Sequence, residues 1–191
     1  MKIKSCVVLA LLIITCSGCM STVDNLVGVG KITNSTSEFD GAKVIELSKS
    51  RNFSANGKAN TWFGARWSDS NPDYVSLKLI FSSDSSSGDA FTSFNEIRVN
   101  INGDIDVFEV PGKTYRSRSD YNDVSKVIYT TSVAYVPLEL SYLERMIEAE
   151  SCKVQVSSSD GYEDISFDIE TYAGSETSKA RLREFVAAVK R

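Results

Sequence analysis

Regular alternation of apolar and polar side chains restricts this chain to a fold built mainly from β-strands. Val75, Leu77, Leu79 and Phe81 occupy every second position. They therefore share one face of a strand, because successive side chains of a strand point to opposite sides. The same period recurs at 97–101, 105–107, 127–135, 152–156 and 165–169, with weaker signals at about 42 to 49 and 59 to 67.

Two short turn sequences connect some of these predicted strands. Asn102-Gly103 separates two alternating stretches, and both residue types tolerate the positive φ angles of a tight hairpin. Asp160-Gly161 occupies the corresponding place between the 152–156 and 165–169 stretches. We therefore expect two β-hairpins, with antiparallel neighbours.

Two other segments show the spacing of amphipathic helices. We predict helices at about 137–149 and 177–190, the first with Pro137 in its first turn, a position that tolerates proline. Their apolar residues are Leu140, Leu143 and Ile147 in the first segment and Leu182, Phe185, Val186 and Val189 in the second. The sequence thus predicts one α+β domain over 41–191, a largely antiparallel β-sheet with two helices packed on it.

The N-terminus has the features of an export signal. Lys2 and Lys4 precede an apolar run of ten residues at 6–15, about half the length that spans a bilayer. Cys16-Ser17-Gly18-Cys19 follows and resembles the lipobox of bacterial lipoproteins. The resemblance implies a signal peptide over 1–18, with cleavage after Gly18 and lipidation of Cys19 by fatty acyl chains such as palmitate.

The residue after the lipobox bears on location. In this family an Asp directly after the acylated cysteine favours the inner membrane, and this chain has Met20 there. The resemblance therefore implies a lipid anchor in the outer membrane, on its periplasmic face. Residues 19–40 are rich in Ser, Thr, Asn and Gly and are predicted to be a flexible tether, although 26–29 is an alternative edge strand. About twenty flexible residues reach about 25 Å.

Composition excludes several kinds of chemistry. The chain has no histidine, so histidine-dependent triads, acid–base catalysis and zinc sites are excluded. Of four cysteines, only Cys152 remains after signal cleavage and acylation of Cys19. Its place in an alternating stretch predicts a buried structural thiol rather than a nucleophile. We predict no cofactor and no metal, since 84–89 departs from the calcium-loop pattern.

The net charge and the spacing of the carboxylates bear on two further possibilities, a nucleic-acid partner and a hydrolase activity. The whole chain has 21 basic and 25 acidic residues, and this acidic excess argues against a nucleic-acid partner. Asp104 with Asp106, and Asp164 with Asp168, are the pairs that a carboxylate-dependent hydrolase would need. Such spacing is common on solvated strands, so the chain is predicted not to be an enzyme.

An aromatic segment is the strongest candidate for ligand binding. In Trp62-Phe63-Gly64-Ala65-Arg66-Trp67, alternation places Trp62 and Arg66 on one face and Trp67 on the other. Trp62, Arg66 and Trp67 are the candidate residues, although both tryptophans packing in the core is the alternative. A second candidate is 115–121, where two arginines lie between tyrosines.

These observations predict an accessory or binding lipoprotein held at the membrane by its anchor. Its partner would be another envelope protein. The alternative is a cell-wall or glycan-binding module, and a carboxylate-dependent hydrolase is a third possibility.

Overall fold

The computed structural model describes residues 28–55, 57–84, 91–122, 126–172 and 174–191. The leader, Cys19 and the first part of the predicted tether lie outside these ranges. The strands are β1 (Ile32–Thr36), β2 (Lys43–Ser50), β3 (Phe53–Ser54), β4 (Gly57–Lys58), β5 (Thr61–Ser68), β6 (Tyr74–Asp84), β7 (Phe94–Ile101), β8 (Asp104–Glu109), β9 (Tyr115–Asn122), β10 (Val127–Glu139), β11 (Cys152–Ser158), β12 (Gly161–Ser166), β13 (Thr171–Tyr172) and β14 (Ser175–Glu176). The helices are α1 (Leu140–Glu148) and α2 (Ser178–Val189).

Two antiparallel sheets contain most of these strands. The larger sheet has six strands in the order β1-β2-β5-β6-β10-β9, and the smaller has four in the order β12-β11-β7-β8. The pairs β3–β4 and β13–β14 form short ribbons. The predicted α+β class with largely antiparallel strands is confirmed.

One apolar cluster lies between the two sheets and the two helices. Each sheet buries one face, as the period-two pattern requires, and both helices add side chains to the same cluster. Its fully buried members include Leu47, Phe63, Leu79, Ile97, Val99, Leu143, Met146, Leu182 and Phe185. We call the face of the six-stranded sheet that points away from this cluster the outer face.

The predicted hairpins are present. Asn102 and Gly103 have φ angles of 53° and 105°, and they connect β7 to β8. Asn102 also exchanges a backbone and a side-chain hydrogen bond with Ser151, which fixes this turn beside the start of β11. The second hairpin joins β11 to β12, and Gly161, with φ of 124°, is the first residue of β12.

The first helix begins later than predicted, because Pro137 lies in β10. It is in register with Ser76 of β6, whereas the pairing of β10 with β9 ends at Val133 and Tyr115. One edge of β10 therefore has no strand partner at Pro137 in the described part of the chain, and its missing N–H interrupts no hydrogen bond there. Helix α1 begins at Leu140.

The folded domain also begins before residue 41. Residues predicted to be tether form strand β1, which pairs with β2 in the register Ile32 to Leu47 and Thr36 to Lys43. An edge strand thus forms at Ile32–Thr36, whereas residues 28 and 29 of the alternative 26–29 lie in a turn and residues 26 and 27 lie outside the described ranges. Ile32 is partly buried and the other four residues of β1 are exposed. This exposure explains why the sequence of β1 lacks apolar alternation.

Polar contacts tie the helices to the sheets. Ser178, the first residue of α2, donates its hydroxyl to the carbonyl oxygens of Ser50 and Arg51 at distances of 3.1 and 3.0 Å. Lys179 is buried and its ammonium donates to the carbonyl oxygen of Ala149, 3.1 Å away, at the end of α1. A cation at that point is favourable because unpaired carbonyls make a helix C-terminus negative.

A carboxylate joins the two sheets directly. Glu163 of β12 accepts hydrogen bonds from the backbone N–H groups of Asn60 and Thr61, at 2.6 and 2.9 Å. These N–H groups lie at the start of β5, in the other sheet.

Neither α1 nor α2 is long and apolar enough to cross a membrane, and the described residues contain no other helix that is.

Candidate functional site

Strand β5 presents its two tryptophans to opposite sides of the sheet. Phe63, Ala65 and Trp67 face the core and are buried. Trp62 is half-buried and Arg66 is exposed, both on the outer face. The two-sided arrangement follows the predicted alternation, and it places Trp67 on the opposite face of the strand from Trp62 and Arg66.

Trp67 is held in place by its own hydrogen bond. The indole N–H donates to the carbonyl oxygen of Pro72, 2.9 Å away, across the turn between β5 and β6. Trp67 also lines a cleft of about 270 Å³ together with Arg66, Tyr74 and Pro137. The structure therefore brings Arg66 and Trp67 together at this cleft, and Trp62 is not among its lining residues.

A β-bulge in β2 determines which side chains surround Trp62. Leu47 pairs with Ala65 and Ser50 pairs with Phe63, so Ser48 and Lys49 together oppose the single residue Gly64. A side chain at Gly64 would lie 2.8 Å from the carbonyl oxygen of Leu47, closer than real Cβ atoms approach. Glycine thus permits the bulge, and the bulge places Lys49 on the outer face.

Two cationic groups lie over the Trp62 ring. The Lys49 ammonium is 5.2 Å and the Arg51 guanidinium 4.8 Å from the ring centroid. Both distances are within the range in which a ring attracts a cation. We call Trp62, Lys49 and Arg51 the Trp62 patch. Within the described ranges, Lys49 has no carboxylate at ion-pair distance, so its charge is available to a ligand.

A group of charged residues lies next to this patch on the same face. Glu46 accepts a short hydrogen bond from the buried Lys78 and lies 3.7 Å from Arg66. The aliphatic chain of Lys78 passes over Gly64, with which Lys78 is in register. A Cβ atom at Gly64 would lie 3.3 Å from Cδ of Lys78. We call Glu46, Arg66 and Lys78 the Glu46 triad. Arg66 is thus paired with Glu46 and is not one of the cations over Trp62.

The second aromatic and arginine segment forms a separate cluster. Tyr115 meets Tyr135 edge to face, with ring centroids 5.9 Å apart. Arg116 and Arg118 both lie 5.7 Å from the ring centroid of Phe91, and Arg116 donates to the Ser93 hydroxyl at 2.6 Å. The side chains at 119–121 lie outside the described part.

The candidate carboxylate pairs lie at opposite edges of the four-stranded sheet. Asp104 and Asp106 are on β8 and Asp164 is on β12, with β7 and β11 between them. Asp104 and Asp106 are alternate residues of β8, about 7 Å apart along the strand, whereas Asp168 lies beyond Ser166, the last residue of β12, and does not share that strand with Asp164. Asp164 accepts from Gln155 at 2.8 Å. Residues 85–89 of the calcium-like segment lie outside the described ranges.

Cys152 is fully buried at the start of β11, facing the core. Burial raises the pKa of its thiol to about 12, and the carboxylate of Asp168 contributes in the same direction. A thiol that stays protonated at neutral pH is a poor nucleophile and a poor metal ligand. The predicted structural cysteine agrees with this environment.

The outer face of the six-stranded sheet is suited to holding an anion near an aromatic ring. The indole of Trp62 restricts two flexible cationic side chains, and this lowers the entropy lost when they contact a ligand. Sequence analysis missed Lys49 and Arg51, because uninterrupted alternation from Ile45 and Leu47 would have placed Lys49 in the core. Among the described residues, no group of three or more acidic or cysteine side chains is placed to hold a metal ion.

No protein-family model, curated protein or solved structure matches this chain.

Replacement of Glu46 by Gln tests the triad. Lys78 would then keep a buried ammonium without a carboxylate partner, and we expect the free energy of unfolding to fall by about 1–2 kcal/mol. Denaturant titration of the purified chain measures it. Glu184→Gln is the matched control, because Glu184 pairs with Arg181 on the exposed side of α2 and such pairs contribute little. Equal losses in both variants would contradict the role given to Glu46.

Proposed function

We propose that this chain is a non-enzymatic, lipid-anchored binding protein of the bacterial envelope that holds an acidic cell-wall glycan on its outer face. The anchoring part of the proposal rests on the sequence, where Cys19 follows Gly18 at the end of a short apolar leader. Met20, in the position directly after Cys19, favours an anchor in the outer membrane. On the periplasmic face of that membrane the domain would meet the cell wall.

The Trp62 patch is the observation that carries the binding part. Cations over an indole favour a ligand with carboxylates, because the ring orients both positive groups and no carboxylate of the described residues neutralises the Lys49 ammonium. A neutral sugar stacking flat on the indole would have to displace Lys49 or Arg51. A glycan whose sugars or attached peptides carry carboxylates instead gains charge-assisted hydrogen bonds.

The surroundings of the patch support the same ligand class. The outer face also presents Arg66 of the Glu46 triad and the exposed Tyr74 and Pro137, and these three residues line the cleft. A glycan chain is extended and contacts several shallow sites along a surface. Arg66 lies four residues along β5 from Trp62, about 13 Å away, a distance that an extended chain of several sugars can span.

Retention on purified, insoluble cell wall tests the binding part. We expect Trp62→Ala to lower the retained fraction of the full chain at least about fivefold in low salt, since it releases both cations. The double variant Lys49→Gln/Arg51→Gln should have a similar effect. Added salt should lower the retained fraction of the unsubstituted chain, because it screens the charges. Far-UV circular dichroism would establish that each variant is folded.

Tyr162→Ala is the matched control, because Tyr162 is an exposed aromatic on β12, in the other sheet and away from the outer face. Unchanged retention of Trp62→Ala would contradict the proposal. Loss of retention in Tyr162→Ala alone would move the site to the four-stranded sheet and would also contradict it.

Incorporation of a labelled palmitate tests the anchoring part. We expect Cys19→Ser to abolish labelling of the chain, because the acylated sulfur is lost. Cys16→Ser should be labelled like the parent, because Cys16 leaves with the leader. Labelling of Cys19→Ser at the parental level would show that another residue carries the lipid.

A further inference from the structure

Strand β8 has its two aliphatic side chains on the side that faces away from the core. Ile105 and Val107 are 63% and 54% exposed, whereas Asp104 and Asp106 alternate with them on the core side of the strand. Of the large hydrophobic side chains that are exposed in the described residues, these two are the only aliphatic ones. Sequence alternation alone would assign them to the core.

Contacts with α1 hold β8 firmly in this orientation. The Phe108 and Tyr142 rings meet edge to face, with centroids 4.9 Å apart. The Tyr142 hydroxyl donates to a carboxylate oxygen of Asp106, 2.9 Å away. Burial, and next the hydrogen bond to Asp106, raise the pKa of Tyr142 well above its usual range, so the hydroxyl stays a donor. The strand is thus preorganised with its aliphatic side chains outward.

The edge of β8 is open in the described structure. It is the last strand of its sheet, and its only strand partner there is β7. An edge strand presents unpaired N–H and C=O groups to which an extended segment can add. Ile105 also lines a recess of about 480 Å³ on the outward side of this sheet, beside Arg98, Asn100 and Lys153.

The charges on this edge are all negative. Asp104, Asp106 and Glu109 belong to β8, and none forms an ion pair with another described residue. Across the strand pair, Arg98 is in register with Val107, and its guanidinium is paired with Glu96 at 2.8 Å. A second copy of β8 would bring like charges together, which disfavours pairing between two copies of this chain.

We propose that the edge of β8 binds an extended segment of another protein in which basic and apolar residues alternate, and that this segment adds a fifth strand to the sheet. Its apolar side chains would cover Ile105 and Val107, and its basic side chains would face Asp104 and Asp106. This surface belongs to the four-stranded sheet and does not depend on the glycan site at Trp62.

Defined peptides of about seven residues, the length of an ordinary strand, test the proposal. We expect a labelled peptide of alternating Lys and Val to bind the full chain in nonionic detergent, measured by fluorescence anisotropy. Alternating Glu and Val, and a peptide with all Lys before all Val, should each bind at least about tenfold more weakly. Hydrogen exchange of the β8 amides should slow when the first peptide is added.

Variants of the exposed positions identify the surface. Ile105→Lys/Val107→Lys should weaken binding of the alternating Lys–Val peptide at least about tenfold. Ile105→Thr/Val107→Thr, which retains strand propensity, should weaken it in the same direction. Tyr162→Lys is the matched control, because Tyr162 is 73% exposed on β12, the opposite edge strand of the same sheet.

Three results would overturn the proposal. The first is no binding of the alternating Lys–Val peptide, or equally tight binding of the alternating Glu–Val peptide. The second is unchanged binding by both β8 variants. The third is self-association of the chain in sedimentation velocity that the β8 variants abolish, since a second copy would then occupy the edge.

Discussion

Burial of one face of the six-stranded sheet determines the arrangement of the rest of this domain. Leu47, Phe63 and Leu79 are fully buried there, against the four-stranded sheet and the two helices. The described part of the chain holds one cysteine, Cys152, and it is unpaired. Removal of apolar surface from water therefore stabilises the fold without a covalent cross-link. Because a strand alternates, every buried residue places its neighbours on the outer face.

The bulge in β2 modifies that simple alternation at the point where binding is proposed. Two residues of β2 oppose Gly64, and from this point the outward positions shift by one. Lys49 therefore reaches the Trp62 ring instead of entering the core. The same glycine leaves room for the stem of Lys78, which reaches Glu46 across the sheet. A single residue without a side chain thus shapes both the Trp62 patch and the Glu46 triad.

Local pattern predicted the elements well where one face is buried. The two hairpins, the α+β class and the positions of β2, β5, β6 and β10 follow from alternation and turn residues. The start of the first helix was predicted too early, because Pro137 was assigned to its first turn. A strand tolerates proline where its edge is unpaired, and among the described residues one edge of β10 is unpaired there because its pairing with β9 ends at Val133. The division into two sheets depends on crossovers between distant strands, which period-two patterns do not encode.

The candidate site was only partly predictable for related reasons. Alternation assigned Trp62 and Trp67 to opposite faces, but it did not reveal Lys49 and Arg51 as partners of Trp62. Their approach depends on the bulge, which leaves no mark in β2 itself. On β8, the aliphatic residues point outward, because the tight turn pairs Asp104 with Ile101 and Asp106 with Val99 and so places both carboxylates on the core side. The Tyr142 hydroxyl donates to Asp106 on that side, and neither contact is encoded in the alternation of β8 itself.

The two tryptophans allow the outer face and the core to be compared in one experiment. Soluble carboxylate-bearing cell-wall fragments would be titrated into the ¹⁵N-labelled chain while the two indole N–H resonances are followed. The Trp62 resonance should shift with saturation, and it should shift more than that of Trp67, whose buried indole N–H is bonded to Pro72. A shift confined to Trp67, or no shift of either resonance at saturating fragment, would contradict ligand binding on the outer face.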